Sequence, residues 1–191
     1  MENELAHSLN IKLSEEVIGK LKSEQEKLLE KFSERRFYDS SPHFAIATKF
    51  MREEETDKFV ETLKNELQND TVWELEFADF RISETQDYIF LHLSPESEKR
   101  VIDFHNRTFK ATKNIGLEIQ TGNKFRHFDY NPHISIIKLS QENTEKALNL
   151  IEKDFKGVKM PVSCFEITRQ TDDEKGFVNF PVIEKIYLKN V

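Results

Sequence analysis

The sequence predicts an α+β fold, built as one domain from two related halves. Three observations point there. Strand-like and helix-like segments alternate along all 191 residues, and no proline- or glycine-rich linker divides them. Several strands follow one another directly, which favours antiparallel pairing. A segment of eleven residues also occurs twice, RFYDSSPHFAI at 36–46 and RHFDYNPHISI at 126–136.

The elements follow from periodicity. LAHSLNIKL opens as a strand. In SEEVIGKLKSEQEKLLEKF the residues Val17, Ile18, Leu21, Leu28, Leu29 and Phe32 recur at helical spacing. Ser14 is placed to cap that helix, with Glu15 and Glu16 favourable in its first turn. PHFAIATKF is a strand. EETDKFVETLKNEL is a helix with Phe59, Val60, Leu63 and Leu67 on one face. TVWELEFADFRIS alternates until its pattern shifts, and DYIFLHLS follows after ETQD, so the two form a hairpin. Ser94-Pro95-Glu96 starts a helix running to about Thr112, with proline at a position that needs no N–H donor. The charged aromatic loop NKFRHFDYN leads into the strand PHISIIKL. SQENTEKALNLIEKDF is a helix after Ser140. VKMPVSCFEITRQ and FVNFPVIEKIYL close the chain as two strands around the turn TDDEKG. The second half thus repeats the order of the first: a strand opening with Pro-His, a helix, then two strands.

Composition excludes several classes. The 16 phenylalanines and only five glycines argue against disorder. A net charge of −7 does not suit a protein gripping extended duplex nucleic acid through many phosphates. A site for one phosphate or a short nucleotide needs only a few local cations. The lone Cys164, in the apolar run MPVSCFEI, permits no internal disulfide and reads as a buried thiol. The N-terminal segment has no signal-peptide pattern, and no segment has the length and apolarity of a membrane span. The expectation is a cytoplasmic protein, monomeric because no heptad run stands out.

The duplicated segment carries the chemistry. Arg36 matches Arg126, Asp39 matches Asp129, Pro42 matches Pro132, His43 matches His133 and Ile46 matches Ile136, five identities in eleven positions. Side chains alternate along a strand. His43 and Ala45 therefore share one face and Phe44 and Ile46 the other; His133 and Ser135 likewise oppose Ile134 and Ile136. On the same parity Thr48 is expected to face away from His43. Proline without an N–H suits the first position of a strand, which puts each histidine at a strand mouth. Two imidazoles at one site make an acid–base pair near neutral pH. One accepts a proton from the nucleophile, and the other donates to the leaving oxygen. A hydroxyl such as Ser135 can hold a non-bridging phosphate oxygen. No acidic residue stands at ligand spacing to the two histidines, so no metal site and no cofactor is expected. His7, His92 and His105 have no matching context and are expected to pack in the core or on the surface.

With PHFAIA and PHISII ninety residues apart, the sequence resembles the 2H phosphoesterase superfamily and its paired His-x-[Thr/Ser]-x motifs. That group includes the 2′-5′ RNA ligase-like proteins and the cyclic phosphodiesterases. The resemblance extends from about Leu5 to Leu188. It implies a pseudo-symmetric two-lobed fold, each lobe a mainly antiparallel sheet flanked by helices, with a cleft between them. It implies metal-independent cleavage of 2′,3′-cyclic phosphates or of 2′-5′ and 3′-5′ phosphodiesters in a nucleotide or RNA end. Carried over, His43 and His133 are the catalytic pair and Ser135 binds phosphate. The chain departs from the pattern at Ala45, whose methyl cannot hydrogen-bond a phosphate. Ser41 has the correct parity to help, as Asn131 does in the other half. Arg36 and Arg126 are matched candidates for phosphate contact, and Tyr130 for stacking on a base. Two alternatives are carried forward: a non-catalytic nucleotide or RNA-end binding module, and a hydrolase of cyclic oligonucleotide signals.

Overall fold

The structure is a computed structural model that describes residues 4–32, 42–83, 87–117, 130–152, 155–172 and 178–190. In chain order the first half is β1 (Leu5–Ile11), α1 (Glu15–Lys31), β2 (Phe44–Met51), one 3-10 turn (Glu53–Glu55) and α2 (Thr56–Leu67). The hairpin β3 (Trp73–Ile82) and β4 (Tyr88–Leu93) follows, then α3 (Pro95–Asn114), β5 (His133–Lys138) and α4 (Gln141–Glu152). The chain closes with β6 (Val158–Val162), β7 (Cys164–Arg169), the short ribbon β8 (Thr171–Asp172) and β9 (Val178–Asn179), and β10 (Val182–Tyr187). The α+β class and the order of elements agree with the sequence reading.

Two four-stranded sheets result, with orders β10-β7-β1-β2 and β5-β4-β3-β6. Pairing within both is antiparallel. The segment VKMPVSCFEITRQ is two strands rather than one. Its buried positions run Val158, Met160, Val162, Cys164 and then Phe165, Ile167. The change of phase between Cys164 and Phe165, just after the strand break at Ser163, marks where the chain leaves the second sheet, beside β3, and joins the first, beside β1. The final strand is likewise interrupted, between β9 and β10, at Phe180-Pro181, where proline removes a ladder donor.

Capping is as read at Ser14, whose hydroxyl accepts from the Val17 N–H at 3.3 Å. Ser94 differs. It occupies the N-cap position of α3, but its hydroxyl makes no cap bond. The neighbouring Ser97 hydroxyl instead accepts the Glu76 N–H at 2.9 Å, tying the helix start to β3.

Two of the four helices cross between the lobes. α1 follows β1 of the first sheet yet packs on β5 of the second; α3 follows β4 of the second and packs on β2 of the first as well as on β3 and β4. Phe104 of α3 stacks on Trp73 at 5.7 Å and meets Phe165 edge-on at 5.2 Å. Phe44 of β2 and Phe77 of β3 join the sheets at 6.1 Å. One buried apolar cluster therefore runs through both sheets.

The two Pro-His strands share an irregularity. In β2, Ala45 pairs with Asn10 and Ala47 with Leu9, so Ile46 is an extra residue. In β5, Ser135 pairs with Phe90 and Ile137 with Ile89, so Ile136 is extra. These are β-bulges at matched positions of the duplicated segment. Each bulged carbonyl is taken by a buried side chain of the exchanged helix. His105 of α3 donates through Nδ1 to the Ile46 carbonyl at 2.7 Å. Gln25 of α1 donates through Nε2 to the Ile136 carbonyl at 2.8 Å. Both are the eleventh residue of their helix.

A buried carbonyl left unpaired costs about 1–3 kcal/mol. Gln25→Leu and His105→Leu should each lower the unfolding free energy by about that much in urea titrations. The His105 variant should lose more, because its ring also stacks on Tyr130 at 4.1 Å. Unchanged midpoints for both would show that the carbonyls find other donors.

Candidate functional site

The site lies where the two sheets meet. β2 and β5 are edge strands of their sheets and contact each other. Their apolar faces are buried with the helices: Phe44 and Ile46 on one, Ile134 and Ile136 on the other. The opposite faces carry His43 with Ala45 and His133 with Ser135, as the alternation predicts.

The bulges correct one expectation. After the extra residue the phase advances by one, so Ile46 and Ala47 are both buried, as are Ile136 and Ile137. Thr48 then returns to the face of Ala45. Its hydroxyl lies 3.0 Å from that of Ser8, its register partner on β1. Thr48 therefore does not face away from the histidine side. Simple parity failed because it assumed an unbroken ladder.

His133 is the better defined of the two histidines. Its Nδ1 donates to the Asn131 carbonyl at 2.7 Å. A carbonyl only accepts, so in the neutral ring the proton is on Nδ1 and Nε2 keeps a lone pair. Its ring lies on Phe90, centroids 4.0 Å apart. Burial pulls its pKa below the ordinary histidine value; the Asn131 bond opposes this, and the charge of His43 adds to the depression. His43 and His133 stand at the mouths of β2 and β5, the two strands that meet at the seam of the sheets. His43 itself is exposed, on the residue before β2.

Tyr130 joins the two strands. Its hydroxyl donates to the Ala45 carbonyl at 2.9 Å. Its ring is stacked on His105 with an interplanar angle of 12°, and His105 in turn holds Ile46. Burial raises its phenol pKa. The ring expected to stack on a base is thus committed, on one face and at its hydroxyl, to bracing β2 against β5. Ser41, Arg36 and Arg126 lie outside the described residues, as do Asp39, Phe128 and Asp129.

The sequence reading missed the floor beside His133. On β4, Ile89, Leu91 and Leu93 face the core, while Tyr88, Phe90 and His92 occupy the opposite face. His92 pairs in register with His133, ring centroids 6.3 Å apart. It is buried and its pKa falls to about 4, chiefly through burial and then through the charges of Arg81 and His133. Core packing, expected for His92, describes its burial but not its place beside the site. The signal was present in DYIFLHLS as an alternation of rings. It became meaningful only once β4 was known to lie beside β5. His7 and His105 do pack in the core, His7 against Thr56 at 3.0 Å. Across the site, the β1 positions facing Ala45 and Thr48 are Asn10 and Ser8, and Asn10 donates to the Thr168 hydroxyl at 3.2 Å.

Cys164 is buried, and burial raises its thiol pKa, in keeping with an inert packing role. Among the described residues no group of three or more His, Cys, Asp or Glu could hold a metal ion. No described helix is long and apolar enough to cross a membrane.

The depressed histidines make stability depend on pH with a definite sign. The unfolded chain takes up protons near pH 6.5, whereas folded His92 resists until about 4. Protons therefore favour unfolding. The stabilisation is complete above about pH 6.5 and declines as pH falls toward 4, by about 2–3 kcal/mol for His92. Urea titrations at pH 7.5 and 4.5 measure the decline. His92→Gln should make it shallower; an unaltered slope would contradict this account.

The comparisons with known proteins agree with this geometry. The fold matches E. coli LigT in apo form with a TM-score of 0.68 at 11% identity, over 97% of this chain and 98% of that one. It matches E. coli LigT complexed with 3′-AMP with a TM-score of 0.68 at 13% identity, over the same shares of 97% and 98%. It matches TT0787 of Thermus thermophilus with a TM-score of 0.70 at 15% identity, again over 97% and 98%. Such identities establish the two-lobed fold alone. No curated protein matches the sequence. Residues 11–174, which hold both Pro-His strands, match the 2′-5′ RNA ligase superfamily. The chain therefore belongs to that superfamily, the 2H phosphoesterases.

Proposed function

We propose that the chain is a metal-independent phosphodiesterase acting on a nucleotide or RNA end. Its bonds would be 2′,3′-cyclic phosphates or 2′-5′ and 3′-5′ phosphodiesters. The single observation that carries this reading is the placement of His43 and His133 at the mouths of two matched strands that meet at the seam of the sheets. E. coli LigT, which shares the fold, has been crystallised with phosphate and with 3′-AMP. The work of the site would be two proton transfers, for which two imidazoles suffice.

The hydrogen bond at Nδ1 favours His133 as the base. Burial keeps its ring neutral, and Nε2 holds the free lone pair. In hydrolysis, a water oxygen forms the new bond to phosphorus while its proton passes to His133 Nε2. The bond from phosphorus to the leaving oxygen breaks, and His43 as imidazolium gives that oxygen a proton. Ser135 donates to a non-bridging oxygen. Arg36, Arg126 and Ser41 are proposed as further phosphate contacts. Tyr130 serves by holding β2 and β5 in register.

His43→Ala and His133→Ala should each cut kcat by at least about a hundredfold on 2′,3′-cyclic nucleotides with EDTA present. The acid limb of kcat/KM should lie below pH 6.5, since His133 is depressed from that value. Wild-type rates in both variants would exclude the mechanism.

Ala45 favours a second reading, a nucleotide or RNA-end binding module without turnover. Calorimetry beside the same assay separates the two, because tight binding with no product supports the module. If the site is catalytic, Ala45→Ser restores a donor opposite Ser135. One such hydrogen bond is worth about 1–3 kcal/mol, so kcat/KM should rise about ten- to a hundredfold. A fall in rate would show that the methyl is needed where it is.

A further inference from the structure

The two proton transfers use His43 and His133 and leave a third histidine beside them idle. His92 stands on β4 in register with His133 of β5, ring centroids 6.3 Å apart. Its side chain is on the face turned away from the core residues Ile89 and Leu91, yet the residue is only 7% exposed. Among the described residues the ring meets Phe90 and His133 and forms no hydrogen bond. A polar group buried without a partner is costly, and leucine would serve better at this position if packing were its whole role. Burial, followed by the charges of Arg81 and His133, brings its pKa down to about 4 against the opposing charge of Asp79. Near neutral pH the ring is therefore uncharged, with one N–H to donate and one lone pair to accept.

We infer that His92 is a third catalytic residue, which accepts a hydrogen bond from the attacking water while His133 takes that water's other hydrogen. This rests on the reading of the site as a hydrolytic one with His133 as base. Rings with centroids 6.3 Å apart are too far for a direct nitrogen-to-nitrogen hydrogen bond. One oxygen between them can reach both, at about 2.8 Å from each nitrogen. Asp79 is the register partner of His92 on β3, on the other side of β4 from β5. Its Oδ1 is buried with no partner among the described residues. An acceptor there favours the tautomer whose N–H is turned to β3 and whose lone pair is turned to β5. A water held by both hydrogens turns its own lone pairs outward, to the phosphorus. The bond from oxygen to phosphorus forms as one proton passes to His133 Nε2, and the bond to the leaving oxygen breaks with a proton from His43. The second hydrogen stays on the attacking oxygen, bonded to His92, which ends the step as neutral as it began. The site thereby selects its nucleophile, since water has two O–H bonds to offer and an alcohol has one.

The test sets water against methanol as nucleophile. 2′,3′-cyclic AMP is turned over in aqueous methanol with EDTA, and the initial rates of monoester and methyl diester formation are compared per mole of each nucleophile. Wild type should favour water by about tenfold or more, the worth of one hydrogen bond. His92→Leu should cut kcat for hydrolysis by about that factor, leave KM and the rate of methanolysis within about twofold, and bring the ratio toward one. His92→Gln, whose amide oxygen still accepts, should keep much of the preference. A ratio near one in wild type overturns the inference. So does a His92→Leu variant that loses both rates equally, as a merely structural role requires, or that leaves the ratio unmoved. In those cases turnover persists and only the role of His92 is lost. If wild type turns over nothing, the phosphodiesterase reading fails and this inference falls with it.

Discussion

Two bent strand edges meet at the centre of this molecule, and each bend is one extra residue held by a side chain from across the lobes. Ile46 and Ile136 interrupt their ladders at matched points. His105 and Gln25 take up the carbonyls that the interruptions release. The phase change is required by the residues that follow. In β5 an unbroken alternation from His133 would turn Lys138 into the core, where an ammonium group is costly. With the bulge, two isoleucines in succession are buried and Lys138 returns to the side of Ser135. A bulge bends its strand and re-aims its side chains. Here it does so within three residues of each histidine.

The clamps work because α1 and α3 cross between the sheets. Each sheet's edge strand is covered from the other lobe: α1 is covalently part of the first lobe and α3 of the second, yet each lies on the other's edge strand. The same crossing carries Arg107, which donates to Glu66 at 2.8 Å and to Asp70 at 2.8 Å and so fastens α3 to α2. Tyr130 adds a direct tie from the start of β5 to the Ala45 carbonyl. Buried hydrogen bonds and packed rings thus hold the two histidine strands together. The acid–base pair proposed here would benefit from such fixing, because proton transfer depends steeply on position.

Symmetry placed the histidines, and departures from symmetry give the site its direction. Ser135 stands where Ala45 stands in the other half. Phe90 pairs with Ser135, whereas Asn10 pairs with Ala45. His133 is set on an aromatic ring and held by Asn131, while His43 lies in the open. One imidazole is consequently desolvated and fixed in tautomer. Duplication of a strand thus supplied two like groups, and their neighbours differ: one ring is set on Phe90 and held by Asn131, the other is exposed.

The sequence by itself determined the class, the element order and both histidines. Those depend on local periodicity and on a repeat, and both are properties of neighbouring residues. It also held traces that parity alone misreads. The doublets Ile46-Ala47 and Ile136-Ile137 mark bulges, and the doublet Cys164-Phe165 marks a change of sheet. Only the tertiary structure decided that Thr48 faces the site, that Tyr130 is a brace, and that His92 and Phe90 stand beside His133. Each of those depends on which strand lies next to which. Strand adjacency is fixed by helices crossing between lobes some sixty to over a hundred residues apart in the chain, as in the His105–Ile46 and Gln25–Ile136 bonds. No window of local pattern spans such distances, so the wall of the site became visible only once the chain was folded.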